Sequence, residues 1–439
     1  MDLHFPVDSC IIVRMKNYKP RICDELLREE LAGTGAVLIE GAKWCGKTTT
    51  AEQAAKSAIY LDATGSLEQN LILARTKPDR LLNGEFPRLV DEWQLAPSLW
   101  DSIRYNVDHA DSLGCYILTG SAVPADVSEL RHSGTGRFSW LKMRPMSLWE
   151  SEESSGEAGL KTLFAGHDLT GAVSKCPDLE QIAYSLCRGG WPQACQLAGK
   201  TALKRAFSYV DAVVKRDISR VDGVERDEGR TRRLLRSYAR LQATQAATTA
   251  IKADLDANEA IPCSVDTIAS YIQALKKLFV IEDMPAWCPN LRCKTPIRTG
   301  DTRYFVDPSI ATAALGLGPE DLMNDIKTFG LFFEAMAMRD LRVYMDALDG
   351  AVSHYLDASG LECDAVLHRR NGTYGLVEIK IGGKELVEKG AASLKKLASK
   401  IDSEKMKKPA FLMVLTAVGE FAYRRDDGVF VCPIGCLKP

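Results

Sequence analysis

The chain lacks a dominant charge sign and any long hydrophobic run. Its 439 residues carry 56 Lys and Arg against 58 Asp and Glu, so the formal net charge is only −2. A near-neutral chain gives no global electrostatic preference for nucleic acid, so a basic surface would have to be local. No apolar stretch approaches the roughly 20 residues of a membrane helix, and the first residues do not resemble a signal peptide. We therefore expect a cytoplasmic protein without a membrane partner.

Cysteine and histidine spacing typical of metal sites is also missing. The 13 cysteines are odd in number and scattered among apolar segments, and there are only six histidines. Cys288 with Cys293, and Cys432 with Cys436, lack zinc-ligand spacing and neighbouring histidines. This usage is typical of reduced thiols in a cytosolic protein.

What is present is a complete phosphate-binding loop, Gly41-Ala42-Lys43-Trp44-Cys45-Gly46-Lys47-Thr48. The apolar residues 36–39 predict a short buried strand before it, and residues 48–57 predict a helix after it. Backbone N–H groups of such a loop and of the helix N-terminus surround phosphate oxygens. Lys47 is expected to reach the β- and γ-phosphates of ATP, and the Thr48 hydroxyl to bind Mg²⁺. The residues expected to contact the nucleotide here are Gly41, Trp44, Cys45, Gly46, Lys47, Thr48 and Thr49.

Strand-like and helix-like segments alternate between residues 33 and about 147, which predicts a parallel sheet covered on both faces. The candidate strands are 36–40, 58–62, 88–92, 115–121 and about 138–143. Residues 148–179 are rich in Ser, Glu and Gly and predict a partly exposed insertion or linker. Residues 180–260 are mostly helical. Residues 264–282 combine an apolar helix face with a strand-like end, which suits a winged-helix module.

Two acids follow the third candidate strand, Arg88-Leu89-Val90-Asp91-Glu92. In P-loop enzymes the strand beside the loop strand ends in an Asp that binds Mg²⁺ through water. Asp91 is therefore the expected Mg²⁺ ligand, on a strand next to that of the loop. Glu92 is expected to act as the catalytic base that orients a water for attack on the γ-phosphate. A simple acidic turn after a buried strand is the alternative.

Two further segments have weaker signals. The apolar strand at 115–121 ends in hydroxyls, so it could place Thr119 or Ser121 near the γ-phosphate. Residues 132–137 put Arg137 on a glycine loop, where it could stabilise transition-state charge as an arginine finger. It would act in cis or from a neighbouring subunit of a homo-oligomer. A solvated or ion-paired arginine is the alternative.

These motifs together resemble the bacterial and archaeal AAA-type ATP-binding proteins that carry a C-terminal domain of unknown function. The resemblance spans nearly the whole chain and includes residues 118–121, 134–137 and Arg188-Gly189-Gly190-Trp191-Pro192. The last segment resembles the Gly-x-Pro turn that begins a helical lid over the nucleotide in related signalling ATPases. Pro192 is thereby implied as a nucleotide contact. Tyr209 and Arg216-Asp217 also fit the family's helical segment. The resemblance implies ATP binding with hydrolysis, a lid and a winged helix, and it gives no substrate.

Four residues near the C-terminus predict a second site. Glu334 lies on a predicted helix, Asp364 on a strand, and Glu378 and Lys380 on the next strand. Because side chains alternate along a strand, Glu378 and Lys380 share a face. Asp364 and Glu378 could hold Mg²⁺ while Lys380 positions or deprotonates a water. The order resembles the restriction-endonuclease-like nucleases, which use Asp…Glu-x-Lys in this way and which imply catalytic roles for all four residues.

The predicted hairpin before Glu378 gives a geometric condition for that site. A two-residue loop at 371–372 would pair Asp364 with Ile379, on the wrong face of the sheet. A three-residue loop at 371–373 would pair Asp364 with Lys380, on the same face. The site therefore needs an odd loop or a bulge. A solvated strand face, or a nuclease fold without activity, is the alternative.

Local basic residues give modest nucleic-acid signals, since acids interleave with them and a solvated helix face is the alternative. Lys276 and Lys277 near the end of the predicted winged helix could touch phosphate. The C-terminal group comprises Lys384, Lys389, Lys395, Lys396, Lys400, Lys405, Lys407 and Lys408.

The expected fold is α/β. It has a P-loop AAA-type ATPase core with a parallel sheet at 1–160, a helical lid and winged helix at 161–315, and a restriction-endonuclease-like α/β domain at 316–439. The first functional hypothesis is a Mg²⁺-dependent ATPase whose nucleotide state gates a nuclease-like domain directed at DNA. The second is a signalling or scaffold ATPase whose C-terminal domain only binds a protein partner or nucleic acid. A nucleotide-binding protein with negligible turnover is a third.

Overall fold

In a computed structural model of the chain, residues 17–122, 134–259, 263–288, 300–401 and 406–439 are described. The helices are α1 (Ile22–Gly33), α2 (Lys47–Ala54), α3 (Leu67–Thr76), α4 (Asp79–Leu82), α5 (Leu99–Asp108), α6 (Leu160–Phe164), α7 (Leu179–Arg188), α8 (Pro192–Cys195), α9 (Gly199–Ala212), α10 (Ile218–Arg220), α11 (Glu228–Arg240), α12 (Thr248–Asn258), α13 (Val265–Lys277), α14 (Pro308–Leu315), α15 (Pro319–Asn324), α16 (Ile326–Asp346) and α17 (Lys384–Lys400). The strands are β1 (Ala36–Glu40), β2 (Ser57–Tyr60), β3 (Arg88–Asp91), β4 (Tyr116–Gly120), β5 (Phe138–Lys142), β6 (Ala158–Gly159), β7 (Gly350–Leu356), β8 (Glu362–Arg369), β9 (Tyr374–Lys380), β10 (Leu412–Thr416), β11 (Tyr423–Arg424), β12 (Phe430–Pro433) and β13 (Leu437–Lys438). Within these ranges, none of the helices is both long and apolar enough to cross a lipid bilayer.

The chain divides into two compact units. Unit 1 comprises the chain up to Arg144 together with Arg216–Glu225 and Lys277–Phe279. Unit 2 comprises Pro145–Lys215, Arg226–Lys276 and Val280–Pro439. The expected domain boundaries after residues 160 and 315 both lie inside unit 2.

Five parallel strands form the sheet of unit 1, in the order β2-β3-β4-β1-β5. Successive side chains of β1 pack into different apolar clusters. Ala36 and Leu38 belong to one cluster, and Val37 and Ile39 belong to the other. Because both faces of the strand are buried, its sequence is continuously apolar rather than alternating. The predicted parallel sheet is thus confirmed.

One expected neighbour in this sheet is wrong. We expected the strand of Asp91 to lie beside the loop strand, but β4 lies between β1 and β3. Tyr116 of β4 pairs with Ala36 on one side and with Arg88 on the other. Thr119, near the end of β4, consequently sits between the end of the loop strand and the acidic end of β3.

The segment 148–179, expected to be a partly exposed insertion or linker, contains both exposed and buried residues. Leu148, Leu160 and Leu163 are buried, and β6 pairs in parallel with β13. Several polar side chains of the segment bond one another or the backbone. The Ser154 hydroxyl, for example, donates to the carbonyl oxygen of Leu437 at 2.7 Å. Internal hydrogen bonds thus allow part of this Ser- and Glu-rich segment to be buried.

The helical part of unit 2 is built on α7, α9, α11 and α14, which pack against one another. Helices α11 to α13 lead into two isolated bridges, Ile281↔Phe305 and Met284↔Thr302. The expected strand at 279–281 is reduced to the bridge at Ile281, since Phe279 has a φ of 55°. Residues 289–299, including Cys293, lie outside the described residues, and the winged-helix module stays a prediction.

The C-terminal part of unit 2 contains a mixed six-stranded sheet in the order β11-β12-β10-β9-β8-β7. Strands β7, β8 and β9 are antiparallel, whereas β9, β10 and β12 run parallel. Helix α17 connects β9 to β10 and buries Val387, Ala391 and Leu394 in one cluster with Tyr374 and Leu376 of β9. Glu378 and Lys380 follow on the same face of β9 by alternation.

The hairpin between β8 and β9 meets the geometric condition set by the sequence. Its last strand pair is His368↔Tyr374, and the N–H of Arg369 donates to Thr373 O at 2.9 Å. The loop is therefore the three residues 370–372, with Gly372 at a φ of 81°. An odd loop keeps Asp364 on the face of Glu378, but the expected pairing with Lys380 is wrong. Extending the register beyond Ala365↔Val377 places Asp364 opposite Glu378.

Candidate functional site

The phosphate loop leaves β1 and enters α2 at Lys47. Gly46 has φ 103° and ψ 15°, a left-handed conformation that favours glycine. The Lys47 ammonium is nearly buried and donates to the carbonyl oxygens of Gly41 and Ala42, both at 2.9 Å. The loop thus holds its own lysine at its centre, where phosphate oxygens would meet it.

Close contacts fix the loop against the segment that follows β5. A Cβ on Gly41 would lie 2.0 Å from the carbonyl oxygen of Met143, so only glycine fits there. Arg21 donates one hydrogen bond to the carbonyl of Cys45 and another to that of Arg144, both at 2.9 Å. Cys45 is buried with its thiol 3.4 Å from the Met143 carbonyl oxygen, so it is a packing residue of the loop.

Asp91 lies beside the start of α2, because the ends of parallel strands meet at one edge of the sheet. Its carboxylate accepts a hydrogen bond from the Thr48 hydroxyl at 2.7 Å and another from the Thr119 hydroxyl. Burial raises the pKa of Asp91 to about 6, and the two hydroxyl bonds oppose that rise. A hydroxyl and a carboxylate are oxygen donors of the kind Mg²⁺ prefers, so these residues fit the expected ion.

Glu92 is held by two neighbours. It has a left-handed φ of 55°, and its carboxylate accepts from the Ser121 hydroxyl at 3.0 Å and from the Gln94 amide. Gln94 was not among the predicted site residues. The only sequence feature that could have indicated Gln94 is its position two residues after Glu92. That position alone does not distinguish a hydrogen-bond partner of Glu92 from a surface glutamine.

Arg137 lies at the opposite edge of this sheet from the phosphate loop. Arg137 comes just before the first residue of β5, which pairs with the first residue of β1. The phosphate loop, in contrast, comes just after the last residue of β1. Four residue steps separate the two edges, about 13 Å at the usual rise of a strand. Its guanidinium donates to Asp108 at 2.7 Å and to the Thr135 carbonyl at 3.2 Å. The structure thus does not bring Arg137 to the loop of its own chain. The preceding His132 and Ser133 lie outside the described residues.

The predicted lid turn, in unit 2, is part of a buried polar network. The N–H of Gly190 donates to Asp307 at 2.9 Å, and a Cβ at Gly190 would lie 2.1 Å from the Met146 carbonyl oxygen. Pro192 starts α8, and Trp191 stacks on Tyr209 with ring centroids 4.3 Å apart. A nucleotide contact by Pro192 stays a prediction.

The same network continues into α16. Asp307 binds Arg339 at 3.0 Å, Arg339 binds Asp340 at 2.7 Å, and Asp340 accepts from the N–H of Leu148 at 3.0 Å. All three charged side chains are essentially inaccessible to solvent. Burial raises the pKa of Asp340 to about 6, although Arg339 opposes that shift. The predicted lid turn and α16 are thus connected within unit 2.

The second predicted site brings its strand residues into direct contact. The Lys380 ammonium lies 2.7 Å from Glu378 Oε2 and 3.0 Å from Asp364 Oδ2. The Asp364 carboxylate also accepts from the N–H of Ile379 at 2.7 Å. Glu334 accepts from the Tyr304 hydroxyl at 2.5 Å. Sequence reasoning missed Tyr304, because a lone tyrosine far from the acids in sequence gives no signal.

Burial governs the electrostatics of this acidic cluster. It raises the pKa of Glu334 well above its usual range, and the Asp364 carboxylate raises it further. Burial likewise raises the pKa of Glu378 to about 8, with Asp364 adding to the shift and Lys380 opposing it. The pKa of Lys380 is raised because its two carboxylates outweigh the effect of burial.

The fit of the cluster to Mg²⁺ is mixed. Glu378 Oε1 is buried and has no hydrogen-bond partner, which leaves an oxygen donor unused beside Asp364. However, Lys380 lies between the two carboxylates. Across the described ranges, no three or more His, Cys, Asp or Glu side chains are grouped so as to hold a metal ion. As arranged, the cluster is two carboxylates that share an ammonium, with a third carboxyl held by Tyr304.

Several of the basic residues are paired with acids. Lys276 lies 2.7 Å from Asp283, and Lys395 lies 2.7 Å from Asp427. Lys389 pairs with Glu385 one helical turn away at 2.7 Å. Lys405 lies outside the described residues. At Lys389 and Lys395 the pairing favours a solvated ionic surface over a dedicated nucleic-acid contact, whereas Lys276 is paired with a buried carboxylate.

Comparisons with protein families identify the first part of the chain. Residues 34–152 match the model of an AAA domain. They form an AAA-type P-loop ATPase domain. Residues 179–321 match a domain of unknown function (DUF8612), and residues 329–437 match another (DUF4143). No curated protein sequence matches the chain significantly.

Solved structures similar to the chain include three proteins, all with low sequence identity to it. The Walker-type ATPase PABY2304 of Pyrococcus abyssi is 16% identical, with 66% of this chain and 94% of that one covered and a TM-score of 0.39. The Orc1 protein of Aeropyrum pernix in complex with DNA is 14% identical, with 69% and 93% covered and a TM-score of 0.25. The STAND protein PH0952 of Pyrococcus horikoshii, which has a tetratricopeptide repeat sensor, is 13% identical, with 76% and 54% covered and a TM-score of 0.25.

The family matches divide the two candidate sites. The ATPase domain contains Lys47, Thr48, Asp91 and Glu92. The acidic cluster of Glu334, Asp364, Glu378 and Lys380 lies wholly within the C-terminal domain of unknown function. The restriction-endonuclease-like fold expected for that domain therefore stays a prediction.

Proposed function

We propose that the AAA-type domain binds ATP with Mg²⁺ and hydrolyses it. The observation that carries the proposal is the 2.7 Å hydrogen bond between the Thr48 hydroxyl and the Asp91 carboxylate at the start of α2. Together these oxygens would hold Mg²⁺, which when bound neutralises charge on the phosphates. Lys47 would bind the β- and γ-phosphates, with Gly41, Trp44, Cys45, Gly46 and Thr49 lining the site.

Glu92 is the residue we assign to activating water. Ser121 and Gln94 hold its carboxylate in place, which favours one orientation over a freely rotating side chain. Thr119 binds Asp91 and so supports the Mg²⁺ ligand, in addition to any contact with the γ-phosphate.

Phosphate release tests the ATPase proposal. We expect the wild-type protein to release phosphate from ATP in the presence of Mg²⁺, and Glu92→Gln to bind ATP but lose hydrolysis. Lys47→Ala should lose binding. A wild-type protein that binds ATP without turnover would support the third hypothesis, a nucleotide-binding protein.

We further propose that the nucleotide state gates a nuclease-like C-terminal domain directed at DNA. The acidic cluster supports this, because Asp364 and Glu378 would hold Mg²⁺ while Lys380 positions or deprotonates a water beside them. Glu334 would be the third carboxyl group of this acidic cluster. Lys276 and Lys277 would contact DNA phosphates if residues 264–282 belong to a winged helix. Arg137 would act only across an interface of a homo-oligomer.

A specific observation favours a second function. Lys380 bridges the two carboxylates that Mg²⁺ would need, so the cluster is already partly neutralised. The C-terminal domain would then bind a protein partner or nucleic acid without cleaving it, as in a signalling or scaffold ATPase. Incubation of single- and double-stranded DNA with Mg²⁺, with and without ATP, separates the two. Cleavage by the wild type that Asp364→Ala and Lys380→Ala abolish supports the nuclease, and absent or unchanged cleavage supports the scaffold.

A further inference from the structure

The two lysines of the phosphate loop have different partners. Lys47 donates to carbonyl oxygens of the loop itself, whereas Lys43 forms an ion pair with Asp217, 2.6 Å from Nζ to Oδ1. Both partners of this pair belong to unit 1. The Asp217 side chain is 8% exposed and that of Lys43 is 41% exposed. A nearly buried carboxylate is thus held against the loop that is expected to receive phosphates.

Asp217 lies within continuous helical backbone. It ends a turn of π-helix, Val213–Asp217, and immediately precedes α10. Such turns are rare and occur frequently at functional sites. Its φ is −74° and its ψ −38°, and the next residue, Ile218, is wholly buried. The carboxylate does not cap a helix, and its ion-pair partner is Lys43.

A carboxylate beside a phosphate loop opposes anion binding unless a cation neutralises it. Phosphate oxygens and Asp217 would seek the same ammonium, that of Lys43. We propose that Asp217 is a positioning residue that limits the loop's affinity for nucleotide phosphates by competing for Lys43, and that it thereby favours release of ADP. This inference rests on the proposed nucleotide binding.

Titration with fluorescent ADP and ATP analogues at fixed Mg²⁺ tests the competition. Asp217→Asn frees Lys43 and should bind both nucleotides about two- to fivefold more tightly, the range expected for an ion pair whose lysine is partly exposed. The gain should shrink as ionic strength rises. Asp217→Glu keeps the charge and should bind nucleotide like the wild type. A purely structural role predicts the opposite sign, weaker binding on loss of the pair.

A double-mutant cycle separates the action through Lys43 from a direct charge effect. On a Lys43→Met background, Asp217→Asn should raise nucleotide affinity less than it does in the wild type, because only direct repulsion between the carboxylate and the phosphates is then relieved. A gain on this background as large as in the wild type, or larger, would overturn the proposal. Weaker or unchanged binding by folded Asp217→Asn would also overturn it, and Asp217→Ser replaces that variant if it does not fold.

Two controls make the result specific. Asp211→Asn removes an acid of α9 that pairs with Arg232 rather than with the loop, and it should leave nucleotide affinity unchanged. If the wild type binds neither ADP nor ATP, the proposed ATPase function fails and this inference fails with it. If the wild type binds both and Asp217→Asn binds no more tightly, only the inference fails.

Discussion

The hydroxyl of Tyr304 donates to the carboxyl of Glu334 at 2.5 Å, and Tyr304 is almost fully buried. Burial raises the pKa of Glu334 well above its usual range, and the tyrosine hydrogen bond opposes part of that rise. Removing the hydroxyl would leave a buried acceptor with one partner fewer. This bond connects residue 304 to the acidic cluster of the C-terminal domain.

The first prediction concerns this bond. Tyr304→Phe should lower the free energy of unfolding by about 1 kcal/mol, because a buried acceptor loses its donor without a change of packing. Urea denaturation measures the difference. Tyr374→Phe is a matched control, since the Tyr374 hydroxyl donates to the Lys407 carbonyl at 2.7 Å, and it should cost a similar amount. DNA cleavage, if the wild type shows it, should fall in Tyr304→Phe alone. Equal activity in both variants would argue against a role for Glu334.

Glu378 gives a prediction for pH. Its pKa is raised to about 8 in the folded protein, chiefly by burial, so between about pH 4.5 and 8 the folded state binds more protons there than the unfolded state. Its contribution to stability is therefore lost as pH rises through that window, by at most about 1.4 kcal/mol per pH unit. Glu378→Gln should remove this dependence. Urea unfolding midpoints of the wild type and Glu378→Gln at pH 5, 6, 7 and 8 test this prediction. The same dependence of the midpoint on pH in both proteins would contradict it.

Ser121 should matter for turnover rather than for binding. Its hydroxyl donates to Glu92 at 3.0 Å, so Ser121→Ala should lower the kcat for ATP about tenfold while the KM for ATP changes little. Phosphate release under saturating and limiting ATP gives the two constants. Ser139→Ala on β5 is the control, because its hydroxyl contacts Thr34 and not Glu92. A raised KM with unchanged kcat would show that Ser121 acts in binding instead.

Asp307 should be among the most sensitive positions for stability. It is fully buried and binds Arg339, the N–H of Gly190 and the Ser309 hydroxyl, so Asp307→Ala leaves three buried donors without this partner and should cost about 3–5 kcal/mol. Thermal and urea unfolding measure this loss. Asp108→Ala breaks the more exposed pair with Arg137 and should shift the unfolding midpoint little. Similar losses of unfolding free energy in the two variants would mean that burial does not determine how much these ion pairs contribute to stability.

Local signals made the ATPase elements predictable. The phosphate loop, the acids after β3 and the flanking apolar strands are each written in a few consecutive residues, and Lys47, Thr48 and Asp91 do meet at one edge of the sheet. The order of the strands was not readable in the same way. The position of β4 between β1 and β3 depends on pairing between residues far apart in sequence.

Register explains the other differences. The motif around Arg137 showed a glycine loop but not which end of β5 it precedes, and that end sets its distance from the phosphate loop. For the hairpin, the sequence left a two-residue and a three-residue loop open. The loop has three residues, but its placement at 370–372 instead of 371–373 shifts the partner of Asp364 by two residues. Contacts such as Gly190 with Asp307 join separate segments and have no local signature.

Helix α16 and the short stretch from Tyr304 to Asp307 are joined twice. One joint is Tyr304 with Glu334, and the other is Asp307 with Arg339, five residues or about 7.5 Å further along the helix. Two side-chain contacts at that spacing hinder both rotation and sliding of the helix against the segment from Tyr304 to Asp307. Because the N–H of Gly190 donates to Asp307, the turn at Gly190 is hydrogen-bonded to the same segment whose Tyr304 binds Glu334.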